Sequence, residues 1–204
     1  MHPTATGQAI GTLAAPWAAA ALALVPTGLA KVRHPLPAVH AMRAVGLPSG
    51  ALAVRAIGIA EVVAGAAALG AGGPAATGAV AVIYLAFALF LVRTLHAPER
   101  PSSCGCLGAV DLEPNWLHLA LVAAACGVAA WSAVTRTTGL SAMFGRHALV
   151  ATGVAAAAAA IVYASFLVVT ELPSAFSAYR GPAQGGGDPA GPARASRFEV
   201  GVAR

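Results

Sequence analysis

Residues 75–95 read AATGAVAVIYLAFALFLVRTL, an apolar run with one charge, Arg93, near its end. A helix needs about 20 such residues to cross roughly 30 Å of bilayer hydrocarbon. The stretch therefore predicts a membrane-spanning helix. Immediately before it stands Gly70-Ala-Gly-Gly-Pro74, and before that a second apolar run over 51–69. Glycines followed by proline make a tight turn, so the two spans are expected to return antiparallel beside each other.

The same rule finds three more spans. One covers 8–30 and meets Lys31-Val-Arg33-His-Pro35, where charge and an X-Pro step both oppose continuation. Another covers 115–134 and carries Trp116 and Trp131 about 22 Å apart along the helix, a spacing that suits indoles at both interfaces. The last covers 148–170, contains an alanine run at 155–160, and is expected to close at Glu171-Leu-Pro173. Composition agrees. Of 204 residues 58% are hydrophobic and 9% charged, where a soluble domain carries about a quarter charged. So few charges cannot clothe a soluble globule, and the aliphatic content excludes disorder driven by charge. The net charge of +5 lies mainly in connecting segments, which fits a lipid bilayer surface and excludes nucleic acid as the expected partner.

The expected fold is all-α: a polytopic transmembrane helical bundle packed through small residues. Its first four spans would form two paired hairpins, the first with the second and the third with the fourth. The first run is not read as a secretory signal, because no Lys or Arg precedes it and it exceeds a usual signal core. Beyond Pro173, Gly181-Pro, Gly185-Gly-Gly187 and Pro189-Ala-Gly-Pro192 predict a disordered tail over 171–204.

The chemistry concentrates in Arg100-Pro-Ser-Ser-Cys104-Gly-Cys106-Leu-Gly108, in the loop between the third and fourth spans. Cysteines at i and i+2 can meet the Cα separation a disulfide permits, and the intervening glycine removes the steric obstacle to so tight a ring. A strained ring has a raised reduction potential and exchanges readily with an incoming thiolate. Arg100 nearby favours the thiolate form. Two inert loop cysteines are the plain alternative. A metal reading stands beside them, since two thiolates hold a soft ion such as Cu(I), with His96 or His118 as additional ligands. The spacing is that of no closed zinc site. Cys126 lies about 16 Å down the fourth span, too deep to resolve a loop disulfide, and reads as a small buried hydrophobe.

Cys104-Gly-Cys106-Leu-Gly108, followed by an Asn/Trp start to the next helix, resembles the loop of the MauE family, methylamine-utilisation membrane proteins grouped with DoxX. The basic segment Ala30-Lys-Val-Arg33-His-Pro35 and Gly58-Ile-Ala-Glu61 are also similar to that family's motifs. The resemblance covers about residues 10–135, so a four-helix domain over 8–135 is expected, with the helix at 148–170 and the tail outside it. Leu107 stands where the family often has Phe. The resemblance implies a redox role: disulfide formation or electron supply during maturation of methylamine dehydrogenase, with a thioredoxin-like partner. The substrate protein stays open.

Arg55 and Glu61 stand within the second span, where an ionisable group is a functional candidate by default. Six residues place them about 240° apart around the helix, so they do not face each other. Glu61 needs another partner or a proton, and the candidates are Lys31, Arg33 and Arg93. Glu61 as a proton acceptor beside a quinone or the disulfide, and Glu61 as half of a structural ion pair, are both open readings. The stretch from Lys31 to Arg43 is expected to lie at the headgroups, with quinone-headgroup contact as a sharper option.

Topology sets two arguments against each other. The loop after the first span and the cysteine loop share one side; the Gly72 turn and the loop with Arg136 and Arg146 share the other. The positive-inside count places the cysteines in the cytoplasm, whereas an exchange-active disulfide belongs on the oxidising side. The cysteine loop is accordingly expected outside a multi-pass cell membrane protein. Catalysis by Cys104 and Cys106, supported by Arg100, Glu61, Arg55 and Arg33, is the leading expectation, with quinone as the electron carrier. A non-catalytic assembly factor and a small-molecule transporter lined by Arg55 and Glu61 are its rivals.

Overall fold

The computed structural model describes residues 5–97 and 114–180, with side chains over 13–97 and 114–171. Seven helices stand among the described residues, in the order α1 (Ala5–Arg33), α2 (Leu36–Ala44), α3 (Ala51–Gly70), α4 (Gly73–Leu95), α5 (Trp116–Val134), α6 (Leu140–Arg146) and α7 (Ala148–Arg180). Five of them, all but α2 and α6, are long and apolar enough to cross a membrane. The chain is a multi-pass, all-α membrane protein.

Helix α1 is the axis of the bundle. It packs most extensively on α3, and also touches α7, α5 and α4, while α4 and α5 form the second close pair. The two expected hairpins are therefore present. The α1–α3 crossing is close because Gly28 and Gly58 face each other. A Cβ added to Gly28 would stand 2.5 Å from the Gly58 carbonyl oxygen, and one added to Gly58 would stand 2.6 Å from that of Gly28. Lipid gives no hydrophobic incentive for helices to associate, so backbone approach of this kind supplies the van der Waals contact that holds them. Around it lies a core of Trp17, Ala18, Ala21, Leu24, Ala68 and Val80.

At the opposite end from the cysteine loop, the α3–α4 turn is tied to the chain leaving α5. Gly72 takes φ +66, the left-handed region that favours glycine. It forms an isolated bridge with Thr138, the Gly73 amide donates to the Thr137 carbonyl at 2.9 Å, and the Ser141 hydroxyl donates to the Gly70 carbonyl. The turn and the Arg136–Arg146 segment thus share one side, as expected.

Two helix ends differ from the sequence reading. Helix α1 does not stop at Lys31 but runs through Arg33, because Lys31 turns into the bundle and its charge is met there. Pro35 then opens α2, so the stretch from Lys31 to Arg43, expected as one headgroup segment, is divided: Lys31 is buried at the end of α1 and Leu36–Ala44 forms a separate short helix. Glu171-Leu-Pro173 does not close α7, which continues to Arg180. A proline deletes one backbone donor without forbidding the turns on either side, and α1 likewise carries Pro16 and Pro26 within it. Residues 171–180, expected in the tail, are helical; the rest of that tail lies outside the described residues.

Candidate functional site

Glu61 is fully buried on α3, and its partner is Lys31. The Lys31 Nζ donates to Glu61 Oε2 at 2.8 Å, and both side chains are withdrawn from the surface. Two further groups shape the pair. Thr27, one turn before Lys31, brings its hydroxyl within 3.4 Å of the same carboxylate oxygen. The Lys31 ammonium also lies 4.7 Å from the centre of the Phe87 ring, a cation–π contact from α4. The second oxygen, Oε1, has no hydrogen-bond partner among the described residues. The pair sits directly beside the Gly28–Gly58 crossing, since the Gly58 position abuts the Lys31 Cβ and the Gly28 position the Glu61 Cβ. Two glycines bring the backbones together, and the charges lock the register they create. Burying opposite charges costs desolvation, repaid only where geometry and added hydrogen bonds are good. Here a short ion pair, a hydroxyl and a ring face converge on it.

The other charges named from the sequence do not join this pair. Arg33 is exposed at the end of α1, and Arg55 is exposed near the start of α3. Arg93 donates from Nε to the Val45 carbonyl at 2.8 Å, fastening α4 to the end of α2. A path lined jointly by Arg55 and Glu61, which the transporter reading requires, is therefore not formed: Glu61 faces inward and Arg55 outward.

Cys104, Cys106 and Arg100 lie outside the described residues; the two stems of their loop do not. Asn115 caps α5, its side-chain oxygen accepting from the His118 amide at 2.8 Å. His96, just past α4, meets Trp116 edge to face with ring centroids 6.0 Å apart. The stems are thus held side by side on the tightly packed α4–α5 pair. Cys126 is half-buried within α5, and its thiol approaches the Ala81 carbonyl at 3.4 Å. It belongs to the packing between α4 and α5, as its depth predicted.

Two features escaped the sequence. Tyr84 is buried on α4, with its hydroxyl donating to the Ala20 carbonyl of α1 at 2.8 Å and its ring edge-on to Phe87. Nothing in an apolar run marks which aromatic will reach across to another helix. The other is a cavity of about 690 Å³ between α1, α4, α5 and α7, lined almost wholly by apolar side chains. His118 belongs to its wall, and the His118 Nδ1 is buried without a hydrogen-bond partner among the described residues. The sequence offered His118 only as an additional metal ligand; the cavity beside it is made by α1, α4 and α7. Among the described residues no group of three or more His, Cys, Asp or Glu is placed to hold a metal ion.

Comparison with known proteins fits this architecture. The family model described as methylamine utilisation protein MauE matches residues 8–135, which span α1 to α5. The chain belongs to the MauE family. No curated protein and no solved structure matches it.

Proposed function

From membership of the MauE family, we propose that this chain is an integral thiol–disulfide redox protein of the cell membrane, working through Cys104 and Cys106 on the extracytoplasmic side. The observation that carries the reading is the placement of the Cys104-Gly-Cys106 pair between stems that His96 and Trp116 hold together. We read these two thiols as the ones that meet a soluble partner. The partner is a thioredoxin-like protein. A thiolate of that partner attacks one sulfur of the Cys104–Cys106 disulfide; an intermolecular S–S bond forms and the other loop sulfur leaves as thiolate. The partner's second thiolate then attacks the mixed disulfide, so the partner leaves oxidised and the loop holds two reduced cysteines. Two electrons pass in this direction, and the reverse sequence returns them. Exchange with a lipid-soluble carrier of the quinone class, which takes two electrons and two protons, completes the cycle. Arg100 favours the thiolate form of the loop. The family's description names methylamine utilisation, and maturation of methylamine dehydrogenase is the process we propose within it.

Trapping tests the exchange. Cys104→Ser and Cys106→Ser variants are expected to differ, one of them accumulating a partner in a band that reductant removes from a non-reducing gel. No covalent partner in either, with metal retained by the wild type, would replace exchange with a non-catalytic assembly role. A membrane-impermeant maleimide applied to intact cells is expected to label reduced Cys104 and Cys106; absence of labelling overturns the extracytoplasmic placement.

A further inference from the structure

We infer that Arg33 of α1 and Arg55 of α3 together seat the phosphate of an anionic phospholipid on the lipid-facing flank of the α1–α3 pair. The Gly28–Gly58 crossing has two flanks. Three residues past each glycine stand Lys31 and Glu61, whose Cβ atoms abut the opposite glycine; four residues past each stand Val32 and Val62, whose methyl groups do the same. On antiparallel helices, equal offsets from two facing residues fall on the same flank. One flank therefore carries the buried ion pair, and the other carries the valines.

Arg33 follows Val32 by one residue and Arg55 precedes Val62 by seven, close to two full turns, so both arginines belong to the valine flank. They also share a level. Leu24 lies against Gly65 and Lys31 against Gly58, so each step up α1 is matched by a step down α3. Three steps further, Arg55 comes level with His34, next to Arg33. Both arginines are exposed, and neither makes a hydrogen bond or ion pair among the described residues. Glu61 lies on the other flank and is taken by Lys31.

Arg55 stands four residues inside a membrane span that begins at Ala51, about 6 Å at helical rise. An uncompensated charge at that depth on a lipid-facing side draws an anion, and the headgroup layer supplies one as phosphate. A guanidinium meets two phosphate oxygens with parallel N–H donors. Deeper on the same flank Leu29, Ile59 and Val63 are exposed, an apolar strip for the acyl chains of the molecule whose phosphate the arginines hold. Free phosphate would use the arginines alone; the strip beneath them commits the site to a lipid. The inference is independent of the exchange reading above.

The test is a titration of the purified full chain in dodecyl maltoside with dioleoylphosphatidylglycerol, read as a shift in melting temperature. A saturable rise is expected, with little response to zwitterionic dioleoylphosphatidylcholine or to inorganic phosphate at the same concentration. Arg33→Gln and Arg55→Gln are each expected to weaken apparent affinity about tenfold, and the double variant to lose saturation. Arg33→Lys, which keeps the charge but not the paired donors, is expected to fall between Arg33→Gln and the wild type. Arg146→Gln makes the same change in net charge at the opposite rim and is expected to respond as the wild type does. Circular dichroism checks that each variant keeps its fold. No saturable response of the wild type, or single variants that bind as it does, would overturn the proposal. So would an equal response to phosphatidylcholine, which leaves an ordinary lipid annulus, or to inorganic phosphate, which leaves a free-anion site. A loss in Arg146→Gln as large as in Arg33→Gln also overturns it, leaving only an effect of overall charge.

Discussion

Helix α1 presents two unlike faces, and the contrast organises the molecule. Toward α3 it is closed: Gly28 and Gly58 set the backbones in contact, and Lys31 meets Glu61 beside them. Toward α7 it is open, with a cavity of about 690 Å³ lined almost wholly by apolar side chains. The neighbouring helices differ in the same sense. The apolar window of α1 is 44% buried and that of α7 only 11%, so α7 contributes a wall rather than a core. One face spends small residues and charges on rigidity, and the other leaves space. The void persists because the rest of the bundle does not collapse into it.

The contrast can be broken most severely at the glycines. Gly58→Leu is expected to abolish the folded bundle, since its first side-chain carbon already falls on the Gly28 carbonyl and backbone on the neighbouring helix cannot step aside; yield and gel-filtration profile in detergent measure it. Next comes the ion pair. Glu61→Ala removes the carboxylate that neutralises buried Lys31, at a cost of about 3 to 5 kcal/mol, whereas the combined Lys31→Met and Glu61→Leu replacement is expected to lose far less. Thermal melts of both proteins check the difference, and equal losses would mean that the charges act individually. Smallest is Tyr84→Phe, which deletes one bond between α4 and α1 and is expected to cost about 1 kcal/mol. If Tyr84→Phe were as damaging as Glu61→Ala, the closed face would not be the stronger one.

The spans were legible because crossing a bilayer demands length and apolarity whatever the neighbours do, and 51–69 against Ala51–Gly70 shows how closely. The charges were harder. Sequence phase separated Arg55 from Glu61 around one helix but carried no sign of which direction was inward. That depends on where α1 lies, and α1 is fixed by a glycine contact 30 residues distant, between Gly28 and Gly58. Lys31 reads as a boundary for the same reason: a charge marks the edge of a membrane unless its partner on another helix is known. Pro173 misled by its general helix-breaking tendency, which a membrane helix overrides by keeping every other backbone bond within itself. The cysteine pair was conspicuous in the sequence because two thiols around one glycine are rare in an apolar chain. His118 was not, since its environment is made by three other helices.

The tie between Gly72 and Thr138 has a mechanical consequence. It joins the turn that starts α4 to the chain that follows α5, pinning the two hairpins together at one rim of the bundle. At the other rim Arg93 fastens the end of α4 to the Val45 carbonyl at the end of α2. The two hairpins are thus tied at both ends, and a tilt about either rim strains the bond at the other.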